Sequence, residues 1–169
     1  MNKFPASGLA LLLIATGAQA QVAPAESAWA YFEPEGAPMQ AGVQSADGGQ
    51  LILKCDERGE DKVFAVIASP SRLRPPSNQP QVRSLWLRYD GGTRQEVRWR
   101  YYDQTVLALN TRRDNNLAQF LNDLVGATNV EIRLDPTDGA PVELNFPVAG
   151  AREAIARVFE SCGDTNIVS

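Results

Sequence analysis

The residue types of this chain leave few routes to catalysis. None of the 169 residues is histidine, which excludes histidine acid–base catalysis, Ser-His and Cys-His nucleophile pairs and most zinc and copper sites. The sequence also contains no P-loop, dinucleotide-binding, G-x-S-x-G or EF-hand motif. A hydrolase can act with two carboxylates alone. The clustered carboxylates of this chain are Asp56, Glu57, Glu60 and Asp61.

These four acids lie in a short turn between two predicted strands. Acidic residues in such turns are usually exposed and solvated, and a catalytic or calcium-binding role is the rarer case. We therefore predict a non-enzymatic protein without a metal or a cofactor. A carboxylate-only hydrolase of the cell envelope is the alternative.

Arginine is the other residue type with binding chemistry, because a planar guanidinium donates paired hydrogen bonds to phosphate or carboxylate groups. Nine arginines fall between Arg72 and Arg113, where only three acids oppose them, a local charge of +6. Alternation places three of them on one side of a predicted strand, and two more precede the first predicted helix. The candidate contacts are Arg94, Arg98, Arg100, Arg112 and Arg113.

Such an arginine face would suit an anionic envelope component or an acidic protein partner. Cross-strand pairs with Glu96, Glu131 and Glu143 would give the same pattern on an ordinary solvated surface. The whole chain is acidic, with a formal net charge of −4, so we expect no general nucleic-acid binding. Trp86 and Trp99 are predicted to be core residues, with a ligand platform as the alternative.

The first 20 residues have the three parts of a secretory signal peptide: Lys3, an apolar run over 8–17 and a small-x-small site at 18–20. The run is shorter than the about 20 apolar residues that cross a bilayer, so no membrane span is expected. An N-terminal core helix is the alternative, but Pro24 and the loop-like residues around it give such a helix nothing to join. We expect a periplasmic or secreted protein that begins near Gln21, with a mobile terminus over 21–28 and a net charge of −5 once Lys3 is removed.

Cys55 and Cys162 are the only two cysteines. An even pair in an exported chain predicts a disulfide, with two free thiols as the alternative. The pair does not have the C-x-x-C spacing of thioredoxin-like redox sites. Both cysteines fall on apolar faces, so the end of the last helix should pack over the strand that ends at Cys55.

Apolar residues with a period of two predict short strands, and a 3.6-residue period predicts two helices late in the chain. The segment 63–68 is apolar at every position and is expected to be a central strand covered on both faces. Helices are predicted over 114–125 and after Gly150, where the apolar stripe is Ile155, Val158, Phe159 and Cys162. The predicted strands are 29–32, 39–45, 50–55, 63–68, 82–89, 94–102, 105–111, 130–134 and 142–146.

These elements predict a mainly β fold with two short helices. We expect an antiparallel β-sandwich or a partly open barrel, with the helices packed on an edge or an end. Residues 29–162 are predicted to form a single domain, followed by a C-terminal tail over 163–169.

The order of the motifs resembles two families of exported proteins. L-x-L-x-C at 51–55 precedes an apolar strand and a hairpin that carries Trp99, and the pattern F-x-x-x-G-A-x-x-A-I-x-x-V-x-x-x-C covers 146–162. Over about residues 50–162 this is similar to the small periplasmic proteins of the VasI kind associated with type VI secretion. It is more loosely similar to the invasion-associated locus B family. In the first family the strand before the glycine tends to read F-D-[LI]-x-G, whereas 146–150 lacks the aspartate. The resemblance implies an exported accessory or interaction protein, with no catalytic residues carried over.

Overall fold

The computed structural model of the chain describes residues 29–110 and 115–168. Within these residues, nine strands form one antiparallel sheet in the order β1-β2-β3-β4-β7-β6-β5-β8-β9, which is not closed into a barrel. The predicted fold class is confirmed. The strands are β1 Ala30–Phe32, β2 Gln40–Gln44, β3 Gln50–Lys54, β4 Phe64–Ala68, β5 Gln81–Tyr89, β6 Gln95–Tyr101, β7 Thr105–Ala108, β8 Asn129–Leu134 and β9 Val142–Pro147.

Alternation along the strands gives the sheet an inner face and an outer face. On the inner face, apolar side chains such as Leu53, Leu85 and Ile132 are fully buried. The sheet bends until its two ends approach each other, because the side chain of Leu144 on β9 lies against Gly49, just before β3. A Cβ atom added to Gly49 would fall 2.7 Å from a methyl carbon of Leu144. The two halves of the sheet therefore enclose a shared core.

Two helices complete that core: α1 Asn116–Val125 and α2 Ala151–Cys162. They pack against each other, and α2 also contacts β2 and β3 while α1 contacts β6. Phe120 of α1 meets Trp99 of β6 edge-on, with ring centroids 4.9 Å apart. The buried residues of α2 include the predicted stripe of Ile155, Val158, Phe159 and Cys162.

The C-terminal end of α2 is fastened to the turn that follows β3. The predicted disulfide between Cys55 and Cys162 is confirmed, with the two Cα atoms 6.2 Å apart. The Asp164 carboxylate accepts hydrogen bonds from the backbone N–H groups of residues 61, 62 and 63, at 3.0, 2.9 and 3.0 Å. Beyond it, Ile167 and Val168 are partly buried against the core. The C-terminal segment is thus packed onto the domain.

One strand differs from the sequence prediction. β4 lies inside the sheet, and its residues Ala65 and Ile67 are buried. Its other residues, Phe64, Val66 and Ala68, are only half-buried, because no described element covers the outer face there. The prediction that this strand is covered on both faces is wrong.

The predicted signal peptide over 1–20 and the terminus over 21–28 lie outside the described residues. In the part of the chain that the structure describes, no helix is long and apolar enough to cross a membrane.

Candidate anion-binding face

A tight hairpin aims the arginines of β6 outward. Asp90 and Gly91, between β5 and β6, both have positive φ angles, +46° and +71°, and the Gly92 N–H donates to the Tyr89 carbonyl oxygen at 2.8 Å, which closes a tight turn. The turn sets Leu87 opposite Gln95, and this register continues along the hairpin. Trp99 and Tyr101 consequently point inward and are buried. The charged residues therefore occupy the outward-facing positions of the strand.

Two anchors hold the hairpin in this register. The Asp90 carboxylate accepts hydrogen bonds from the Thr128 hydroxyl at 2.7 Å and from the Asn129 N–H at 2.9 Å, which ties the turn to the start of β8. These bonds, the Thr128 hydroxyl first, lower the pKa of Asp90 although desolvation opposes them. On the inner face, the Tyr101 hydroxyl donates to the Ser84 carbonyl oxygen at 3.1 Å, and burial raises the pKa of Tyr101 to about 12.

The arginines of the outer face fall into two groups. Arg88 of β5 pairs with Glu131 of β8, with Nε 2.9 Å from Oε2. Arg133 of β8 pairs with Asp135 at 3.3 Å and with Glu143 at 3.6 Å. Such ion pairs are typical of an ordinary solvated surface. They involve Glu131 and Glu143, two of the three glutamates for which cross-strand pairs were predicted as the alternative.

The second group is Arg94, Arg98 and Arg100, called here the outer arginines. Arg94 and Arg98 are exposed and Arg100 is half-buried. None of the three forms an ion pair with a residue inside 29–110 or 115–168. The strand neighbours of Arg98 and Arg100 are uncharged, since Arg98 lies opposite Ser84, and Arg100 lies between Val82 and Leu107. Three positive charges without an ion pair to a described residue therefore lie together, Arg98 and Arg100 on β6 and Arg94 just before it.

The other candidate residues are placed differently. Arg112 and Arg113 lie outside the described residues, so their role stays a prediction. Trp99 is buried as predicted, but the prediction of Trp86 as a core residue is wrong. Trp86 is half-buried on the outer face, opposite Glu96 on one side and Arg133 on the other. It takes this position because its neighbours Leu85 and Leu87 occupy the inner face.

The acidic turn lies beside a cleft of about 330 Å³, which Asp56, Glu57 and Asp61 help to line. Asp56 pairs with Lys54 at 2.7 Å, and Glu57 pairs with Lys62. The Glu57 carboxylate raises the pKa of Lys62 by accepting its hydrogen bond and by its charge. Among the described residues, no group of three or more acidic, cysteine or histidine side chains could hold a metal ion.

Sequence reasoning missed an apolar row that crosses the outer face. In register from β1 to β7, the row runs Ala30, Gly42, Ile52, Val66 and Leu107, and it ends against Arg100. The signal was present in the strands that are apolar at successive positions, such as 51–53 and 106–109. Such runs predict burial on both faces, whereas here one face is open.

Neither the family models nor the curated proteins nor the solved structures match this chain. Its function must therefore be inferred from its own residues.

Proposed function

We propose that this chain is a non-enzymatic binding protein of the bacterial envelope, which contacts an anionic envelope component or an acidic partner protein through Arg94, Arg98 and Arg100. The observation that carries the proposal is the contrast between the two groups of arginines. Arg88 and Arg133 are neutralised by acids on adjacent strands, whereas the outer arginines have no acidic partner among the described residues. Solubility alone does not require that some arginines of one face be paired with acids and others be left unpaired.

The spacing of the outer arginines indicates the form of the ligand. Arg98 and Arg100 are two residues apart on β6, about 7 Å, and Arg94 lies four residues before Arg98, about 14 Å in extended chain. The row is too long for one small anion to contact all three arginines at once, and it suits a ligand that carries several separate anionic groups. Exposed charges are screened within about 8 Å at physiological ionic strength, so the interaction should depend strongly on salt.

The proposal places the protein in the periplasm or outside the cell. The signal-like residues 1–20 support export, and the disulfide is of the kind that persists in oxidising compartments. The resemblance to VasI-kind and locus B proteins extends the proposal to an accessory role in type VI secretion or in invasion.

The alternative, a carboxylate-only hydrolase, has less support. A catalytic pair needs one carboxyl group that stays protonated near neutral pH. In the acidic turn, Asp56 and Glu57 are exposed to solvent and each is paired with a lysine, so neither lies in an apolar enclosure. The backbone N–H of Asp61 is bonded to Asp164, so this turn has a clear structural role.

The test replaces the outer arginines with glutamine in one triple variant. A matched control replaces Arg58, Arg72 and Arg152, which are exposed elsewhere and give the same change in net charge. Each protein is titrated with bacterial envelope vesicles and with polyglutamate at low and high salt. We expect the triple variant to bind one of these probes about tenfold more weakly than wild type at low salt, and the control to retain its affinity. Equal binding by a folded triple variant, or equal losses in both variants, would overturn the proposal.

A further inference from the structure

The apolar row of the outer face continues for a long distance without a polar interruption. Ala30, Gly42, Ile52, Val66 and Leu107 lie side by side on five adjacent strands. Neighbouring strands are about 4.8 Å apart, so the five residues and Arg100 together span about 24 Å. The row on one side of it is largely polar, with Gln44, Gln50 and Thr105 in matching register. The row on the other side is mixed, with Gln40 and Lys54 beside Phe32 and Phe64. The uninterrupted apolar surface is therefore a single strip that runs across the strands.

One end of the strip is a groove. Ala30 and Gly42 have little or no side chain, and they leave a recess of about 290 Å³ that Phe32 and Ile52 help to line. Phe32 is 58% exposed and adds apolar surface to one wall of the groove. A Cβ atom at Gly42 would already approach the Leu51 carbonyl oxygen to 3.2 Å, so the floor of the groove is closely packed.

The other end of the strip is a positive charge. Arg100 lies directly opposite Leu107 and is half-buried, with no ion pair to a described residue. Val82, on the far side of Arg100, is 51% exposed. An apolar strip that ends at an uncompensated cation is complementary to a molecule with a long apolar chain and one anionic end.

We propose that the outer face binds a single fatty acyl chain that lies across the strands, with its carboxylate at Arg100 and its chain over Leu107, Val66 and Ile52, in the direction of the groove at Gly42. The direction of the strip favours this ligand over a peptide, because peptides that join a sheet run along its strands and bind at an edge. Its narrowness favours one chain over a bilayer surface, which would bring the polar row at Gln44 and Gln50 against lipid. The inference rests on the proposed function only in sharing Arg100.

The experiment measures laurate binding by titration calorimetry. Lauryl alcohol is the probe that lacks the negative charge, and acetate is the probe that lacks the long apolar chain. One variant carries Ile52→Thr, Val66→Thr and Leu107→Thr, since threonine suits a strand but removes apolar surface. A second carries Arg100→Gln. Val142→Thr, a half-buried position on the opposite edge strand, is the control.

We expect one laurate per chain, and a loss of affinity of about tenfold or more in the triple threonine variant. Arg100→Gln should weaken laurate binding but leave lauryl alcohol unaffected. The control should bind as wild type does. Unchanged laurate binding in a folded triple variant would overturn the inference, as would binding of acetate with equal affinity. Self-association of the protein without laurate binding would show that a second copy covers the face.

Two variants separate this inference from the proposed function. Arg94→Gln with Arg98→Gln should weaken binding to the anionic probe, envelope vesicles or polyglutamate, and leave laurate binding intact. The triple threonine variant should bind laurate more weakly and keep its affinity for the anionic probe. Loss of laurate binding in the double arginine variant would overturn the acyl-chain inference, because neither residue lies in the apolar row.

Discussion

Single residues decide how the hairpin behind the candidate site is held. Asp90 has a left-handed backbone conformation. Its side chain lies at the surface, where the carboxylate accepts hydrogen bonds from the Thr128 hydroxyl and the Asn129 N–H. The folded-state pKa of Asp90 is lowered, first by the Thr128 hydroxyl. Its contribution to stability is therefore fully present above the unfolded pKa of about 3.9 and is lost as the pH falls through the lower folded value.

We predict that Asp90→Asn is less stable than wild type at neutral pH and that the difference shrinks as the pH falls below the unfolded pKa of about 3.9. Asparagine tolerates the left-handed backbone, so the substitution mainly removes the charge. Urea unfolding of both proteins at about pH 7 and about pH 2 measures the effect. As the control, Asp138→Asn, at an exposed position, should have the same stability as wild type at both pH values. An equal deficit at both values would mean that the ionised carboxylate does not hold the turn.

The sequence predicts inward and outward positions well where a strand alternates, as in 97–101. It fails at Trp86, where a large aromatic side chain between two leucines implies burial but occupies an outer position. It also gives no sign that Arg88 and Arg133 are paired while Arg98 is not. That distinction depends on which acids lie on adjacent strands, and strand order is set by contacts distant in sequence.

Among the elements, α2 has the clearest energetic role. Its apolar stripe is buried against β2, β3 and α1, and Phe159 is only 2% exposed. We predict that Phe159→Ala lowers the free energy of unfolding by about 3–5 kcal/mol, because a large cavity would remain between the helix and the sheet. Urea denaturation monitored by circular dichroism measures the loss.

The control for this prediction is Arg152→Ala on the exposed side of the same helix, which should change stability by about 0.5 kcal/mol or less. Arg157 is less suitable, since it pairs with Glu153 and stacks on Tyr31 with 4.7 Å from Cζ to the ring centroid. Comparable midpoint shifts for Phe159→Ala and Arg152→Ala would show that the buried stripe does not support the fold.

At the scale of the whole molecule, local patterns place the elements within a few residues, but they do not give the sheet order. The placement of β7 between β4 and β6, and of β5 beside β8, arises from pairings of residues far apart in sequence. The open outer face of β4 and the apolar row follow from that order. The candidate site was therefore predictable as a strand of arginines, whereas its apolar neighbour was not.

The disulfide joins two regions that are otherwise distant in the chain. Cys55 follows β3 and Cys162 ends α2, at a sequence separation of 107, so the bond closes a loop over most of the described chain. In the chain-entropy model, a loop of this length stabilises the folded state by about 4–5 kcal/mol, less any strain. The bonds from Asp164 to residues 61–63, and the 2.8 Å bond from the Gly59 N–H to the Cys162 carbonyl oxygen, hold the same junction independently.

We therefore predict that the Cys55→Ala, Cys162→Ala double variant still folds, but with a free energy of unfolding lower by several kcal/mol, up to about 5. Urea melts of wild type and variant measure the loss, and thiol titration of the unfolded, unreduced wild type should find no free thiol. With reductant, wild type should fall to the stability of the variant, while the variant should not respond. Two free thiols per wild-type chain, or a midpoint unaffected by reductant, would contradict the prediction. Adding Asp164→Ala to the double variant should loosen the end of α2 further, because that substitution removes the remaining side-chain link to residues 61–63.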